Sequence, residues 1–215
     1  MFETLISSSF NPTPELNVNN TRKLVSQHKL QEAIKALAVS INAAYLHTSD
    51  TPDHADLALD RESARTLYEP IKKEVVVLCV MNGGMIFCAH LLPLLNFPLQ
   101  FDALQVSRYG DKDTGSALRW LKKPAIELRN KHILIVDDLI DEGVSLTEVF
   151  NYCDAENPAS IKVAVLLNKE TARRIPDAIT PNYIGLTISD EFIFGFGIDY
   201  KNYYRNLLDI YSITS

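Results

Sequence analysis

The chain has 215 residues, 47% of them hydrophobic, and a formal net charge of −6. That length and content can bury a sizeable core and fit a single domain, which argues against a disordered chain. The acidic balance argues against a dedicated surface for nucleic acid or anionic membrane, because both require clustered Lys and Arg.

Met1 to Phe10 lacks the basic start and continuous apolar run of a secretory leader. Leu30, Ile34, Leu37, Ile41 and Tyr45 recur at three- and four-residue spacing and predict an amphipathic helix from about Leu30 to Leu46. A second helical segment is expected over Ala55 to Lys73. Strands then alternate with helices. The expected strands are Val75 to Val80, Phe101 to Val106, Ile133 to Val136, Ile161 to Leu167 and Tyr183 to Thr187; the helices are Met85 to Leu95 and Ser145 to Cys153. This is an α/β pattern, with a central, mostly parallel sheet flanked by helices. Val75 to Leu95 is apolar enough to raise a membrane span, but Asn82-Gly83-Gly84, His90 and Pro93 interrupt it. Arg108 to Leu128 is rich in charge with little periodicity and reads as a long flexible excursion, the usual form of a lid. Cys79, Cys88 and Cys153 form no C-x-x-C pair, so core thiols in a reducing, cytoplasmic setting are expected rather than zinc ligands or disulfides.

The most informative stretch runs from Ile133 to Ser145. Ile133-Leu134-Ile135-Val136 is apolar on both faces, as in a buried parallel strand, and the chain then turns polar at Asp137-Asp138 and Asp141-Glu142. In open α/β sheets, ligands bind beyond the carboxyl ends of strands, where these carboxylates stand. Gly143 permits a tight turn, and Ser145-Leu146-Thr147-Glu148 has the form of a capping box. The loop amides would then face an anion. For two adjacent Asp alone, a solvated acidic turn before an ordinary capped helix would be the better reading. Asn82-Gly83-Gly84 after the Val75 strand offers a second anion-binding turn, which is weak by itself. Lys169 follows a strand, where a lone Lys is usually solvated, and the alternation Phe192, Phe194, Phe196 is most simply one face of a strand.

The Ile133 to Ser145 string resembles the phosphoribosyl-diphosphate (PRPP) signature of type I phosphoribosyltransferases. Leu78 to Gly84, Leu166 to Lys169 and Ser189 to Tyr200 resemble segments of the hypoxanthine-guanine members. The likeness spans roughly Val75 to Ile213. It implies one domain over residues 1–215, with 1–74 a helical segment contributing to the core and to a small hood over the base site. It also implies a Mg²⁺-dependent purine salvage transferase that converts hypoxanthine or guanine and PRPP to IMP or GMP and diphosphate. By the same resemblance, Asp137 and Asp138 hold ribose hydroxyls and metal, and Asp199 helps hold Mg²⁺. Asp141 approaches purine N7, and Glu142, Gly143, Val144 and Ser145 form the 5′-phosphate loop. Asn82, Gly83 and Arg205 bind diphosphate, with a cis peptide entering Asn82. Ser107, Arg108, Tyr109, Thr114 and Gly115 belong to the closing loop. Lys169 donates to the 6-oxo group, Phe192 stacks on the base, and backbone near Ile193 reads its edge. A homodimer or homotetramer is implied, with no nucleic-acid or membrane partner.

Three departures stand out. Asn82 replaces a frequent Lys, and Glu142 and Val144 occupy places that often hold Thr and a polar or basic residue. A carboxylate about 5 Å from a phosphate repels it by roughly 3 kcal/mol per charge pair at an effective dielectric near 20, so Glu142 should turn away. A xanthine-preferring enzyme and a non-catalytic PRPP sensor remain alternatives.

Overall fold

The structure, a computed structural model, describes residues 20–46, 73–109 and 117–213. Met1 to Phe10, Thr114-Gly115 and the expected helix over Ala55 to Lys73, except Lys73 itself, lie outside these residues. The described elements, in chain order, are β1 (Thr21–Val25), α1 (Gln27–Leu46), β2 (Val75–Met81) and α2 (Gly84–Leu91), which is prolonged by a 3₁₀ turn, Leu92–Leu94. There follow β3 (Leu99–Tyr109), β4 (Ala117–Lys122), β5 (His132–Ile140), α3 (Val144–Ala155), β6 (Ser160–Glu170), β7 (Tyr183–Ser189), β8 (Phe192–Phe194) and β9 (Ile210–Ile213).

Six strands form one sheet in the order β4-β3-β2-β5-β6-β7, parallel except for the β3–β4 pair. Its central strands are apolar in both alternating sets because both faces are covered. On β2, Val75, Val77 and Cys79 join the cluster under α1 and α2, whereas Val76, Leu78 and Val80 join the cluster under α3. On β5, Leu134 and Val136 face the first layer, and Ile133 and Ile135 the second. Helix α1 closes the first layer with Leu30, Ile34, Leu37, Ile41 and Tyr45, the stripe its periodicity predicts. Parallel register brings the carboxyl ends of β2, β5, β6 and β7 to one edge of the sheet. Among the described residues, no helix is long and apolar enough to cross a membrane.

Three features differ from expectation. A strand, β1, precedes α1 in the segment expected to be helical; it pairs with β9, and β9 pairs with β8, as a separate three-stranded sheet. The excursion after Arg108 is partly a ribbon, since β3 continues to Tyr109 and β4 returns along it, pairing Ser107 with Arg119. Backbone pairing to an existing edge makes β4 a strand despite its irregular side-chain pattern. The capping box is absent: α3 starts from Gly143 in the left-handed conformation (φ 86°), with no side-chain cap.

Asp102 ties down the return of the ribbon. Its Oδ1 accepts from Lys122 Nζ at 2.5 Å and from the Ala103 amide at 2.7 Å; its Oδ2 accepts from the Ala125 amide at 2.6 Å. Burial alone would raise this carboxyl, but these hydrogen bonds outweigh it and hold the pKa at about 2. A carboxyl depressed on folding stabilises the protein above its ordinary pKa, and the benefit is lost as pH falls toward the folded value. We expect Asp102→Asn to cost about 1–2 kcal/mol, or roughly 2–8 °C in Tm, at neutral pH. Thermal unfolding followed against pH should also show a shallower loss of stability between about pH 4 and pH 2 in the variant.

Candidate active site

Strand β5 does not stop at Val136. It runs to Ile140 and carries Asp137 and Asp138 within the sheet. Asp137 is only 8% exposed, and its Oδ1 accepts from the Asp138 amide at 2.9 Å. Burial pushes the Asp137 carboxyl well above the usual range, and the Asp138 charge pushes it further. Burial also raises Asp138, partly offset by its hydrogen bond with Asp137 and by the Arg205 charge. The end of β5 is therefore a buried acidic step that favours a cation or hydroxyl donors.

The turn after β2 is packed against this step. The Met81-Asn82 peptide is cis, as the resemblance implies. A Cβ on Gly83 would lie 2.2 Å from Asp138 Oδ2, and one on Gly197 would lie 2.3 Å from the Gly83 carbonyl oxygen. Only glycine lets the two loops and the carboxylate meet. Arg205 sits at the same junction, donating to the Gly197 carbonyl at 2.6 Å and pairing with Asp199 at 2.7 Å. Among the described residues, no three His, Cys, Asp or Glu side chains form a site that would hold a metal ion by themselves. Asp137, Asp138 and Asp199 therefore make no protein-only cage.

Asp141, Glu142, Gly143 and Ser145 bound a cleft of about 100 Å³ together with Asp137 and the apolar Leu139, Ile140 and Leu146. Because Gly143 rather than a side chain opens α3, the first-turn amides of the helix adjoin this cleft, an arrangement suited to an anion. A larger groove of about 380 Å³ lies between α1 and the start of β7, and none of the expected site residues lines it.

The solvated reading of Lys169 is overturned. Lys169 lies within β6, is 6% exposed, and donates from Nζ to Asp141 Oδ2 at 2.9 Å, with Asp190 Oδ1 at 4.0 Å. A buried Lys needs such a partner, since an isolated charge in that place is very unfavourable. Phe192 is 54% exposed and meets Tyr200 edge-on at 5.7 Å, while Ile193, Phe194 and Phe196 are buried. The aromatic alternation is thus a strand over Phe192–Phe194, with Phe196 beyond it at φ 46°. Ser107, Arg108 and Tyr109 end β3, on the ribbon rather than in an open loop.

Two residues of this cluster carry no signal in the sequence reading. Arg173 donates to Asp141 Oδ1 at 3.1 Å, Glu142 Oε1 at 3.0 Å and Asp190 Oδ1 at 2.8 Å. Arg174 donates to the carbonyls of Ile140, Asp141 and Lys169 at 2.8–3.1 Å and to Asn168 Oδ1 at 3.0 Å, fastening the end of β5 to that of β6. The clue was an adjacent Arg pair just past a strand end in an acidic chain.

Comparison with known proteins agrees with this geometry. The model of the phosphoribosyl transferase domain matches residues 57–201, beginning before Val75 and ending before Arg205. The hypoxanthine-guanine-xanthine phosphoribosyltransferase of Tritrichomonas foetus is 35% identical over 149 residues, 68% of this chain and 80% of that one. The hypoxanthine phosphoribosyltransferase of Haemophilus influenzae is 31% identical over 161 residues, 74% of this chain and 89% of that one. The crystal structure of a hypoxanthine phosphoribosyltransferase from Staphylococcus aureus superposes with a TM-score of 0.74 at 25% identity, covering 93% of this chain and 97% of that one. With the match running through the acidic strand end, the cleft beside it and the Lys169 strand, the chain belongs to the phosphoribosyl transferase domain family.

Proposed function

We propose that the protein joins N9 of hypoxanthine or guanine to C1 of PRPP, forming IMP or GMP and releasing diphosphate. One observation carries this reading: Lys169 Nζ and Asp141 Oδ2, a donor and an acceptor, stand 2.9 Å apart in a half-buried setting beside the phosphate cleft. The 6-oxo group and N7 of such a purine are neighbours on one edge and require that pair. Lys169 donates to the oxygen, and Asp141 accepts or shares the N7 proton as N9 bonds to the ribose. A 6-amino group cannot accept from Lys169, so adenine is rejected. The exposed face of Phe192 stacks on the base, and the backbone at Ile193 reads its far edge.

Asp137 and Asp138 orient the ribose hydroxyls. Gly143, Val144 and Ser145 cradle the 5′-phosphate with their amides, and Glu142 contributes backbone to the same loop. Asn82, Gly83 and Arg205 hold diphosphate, while Ser107, Arg108 and Tyr109 belong to the arm that closes over it and excludes water. Mg²⁺ prefers hard oxygen ligands and binds through one or two carboxylates plus substrate oxygens, which suits the acidic step of Asp137 and Asp138, with Asp199 as a further donor. When bound, it neutralises charge on the leaving diphosphate. The intact Asp141–Lys169 pair favours an enzyme over a non-catalytic PRPP sensor. Three buried free thiols fit a cytoplasmic setting, and the family resemblance suggests a homodimer or homotetramer.

Incubation with PRPP, Mg²⁺ and each purine in turn tests the reading. Hypoxanthine and guanine should yield nucleotide, xanthine measures the alternative, and adenine should fall at least about a hundredfold lower in kcat/KM. Asp141→Asn should reduce kcat by about a hundredfold or more while the PRPP Kd stays within about threefold; wild-type turnover in this variant would remove Asp141 from the chemistry. Arg205→Ala should weaken PRPP by about tenfold in calorimetry, and an unchanged Kd would take Arg205 out of the diphosphate site.

A further inference from the structure

Arg173 lies four residues beyond Lys169, where the chain leaves β6. One guanidinium there serves carboxylates from two segments. Its NH1 holds Glu142 at 3.0 Å, while its NH2 reaches Asp141 Oδ1 at 3.1 Å and Asp190 Oδ1 at 2.8 Å. Since Lys169 already occupies Asp141 Oδ2, both oxygens of the base-facing carboxylate are fixed by cations on different atoms. Glu142 is the departure noted above, an acid in the phosphate loop itself. Asp190 stands two residues before Phe192, so the same guanidinium also links the phosphate loop to the start of the base-stacking strand. Among the described residues, Arg173 is thus the one cation in contact with all three carboxylates.

Resting on the function proposed above, we propose that Arg173 is a positioning residue with two separable effects: it aims Asp141 at the purine, and it holds the Glu142 carboxylate out of the phosphate cleft. Its planar fork is what allows it to serve three carboxylates at once; an ammonium of the same charge has no such geometry. Its side chain is 52% exposed, so its ion pairs are screened and the fold does not depend on them. This separates it from Arg174, whose partners are mostly backbone and whose loss would loosen both strand ends.

The two effects predict different readouts, which a double-mutant cycle resolves. Arg173→Ala should raise the PRPP Kd by about tenfold when Glu142 is present, and by less than about threefold in a Glu142→Thr background, because the repelling carboxylate is then gone. Its kcat should fall by about tenfold in both backgrounds, since Asp141 loses its aim in each. Arg173→Lys keeps a cation beside Glu142 but cannot serve three carboxylates, so the PRPP Kd should stay within about threefold of wild type while kcat falls at least about fivefold. An equal change in PRPP Kd in both backgrounds, or a kcat for Arg173→Ala within about twofold of wild type, overturns the assignment. Calorimetric PRPP binding in the presence of Mg²⁺ reads the Glu142 arm without turnover. A wild-type protein that binds PRPP yet converts no purine would therefore refute the proposed reaction, while the binding cycle would still decide the clamp.

Discussion

A strand that is apolar on both faces and ends in two buried carboxylates is the constraint from which the site follows. Asp137 and Asp138 occupy the last part of β5, where the sheet denies them much of their hydration, and the Asp138 charge further opposes ionisation of Asp137. The surrounding structure meets that charge from several sides. The turn after β2 is drawn so close that only glycine fits at position 83, and Arg205 brings positive charge to the same corner. Hydroxyl donors or a cation would answer the same imbalance, which sets this strand end up to bind them.

A second principle governs the base side. Lys169 and Asp141 are both drawn from water, yet each supplies the other's counter-charge at 2.9 Å. A buried pair of this kind contributes little net stability, because desolvation offsets most of the attraction. Its value is geometric, keeping a donor and an acceptor in fixed places beside the cleft. Arg174 serves the same end through main chain by binding the carbonyls on which Asp141 and Lys169 are mounted.

Much of this was legible in the sequence for physical reasons. β2, β5 and β6 are buried on both faces and so read as unbroken Val, Ile and Leu runs, and α1 shows its single buried stripe. The acidic string at the end of β5 is readable because it comes with Gly143 and a polar loop directly after an apolar run. Other parts were not legible. β1 and β9 are short and exist through pairing between distant parts of the chain, which local pattern cannot reveal. The supposed capping box failed because a left-handed Gly143 starts α3 two residues earlier, leaving Ser145 inside the first turn. The burial of Lys169 and the partners of Arg173 depend on which strand ends become neighbours, information that resides in the sheet order.

The small sheet has a bearing on how the molecule is assembled. Phe192, exposed beside Tyr200, lies on β8, and β8 is held by β9, itself zipped to β1 from the opposite part of the chain. The acidic strand end and the cleft beside it draw on β2, β5 and α3, all made well before β9 leaves the ribosome. During synthesis an emerging chain can therefore shape that cleft first, while the strand that bears Phe192 waits for a late neighbour to find an early one.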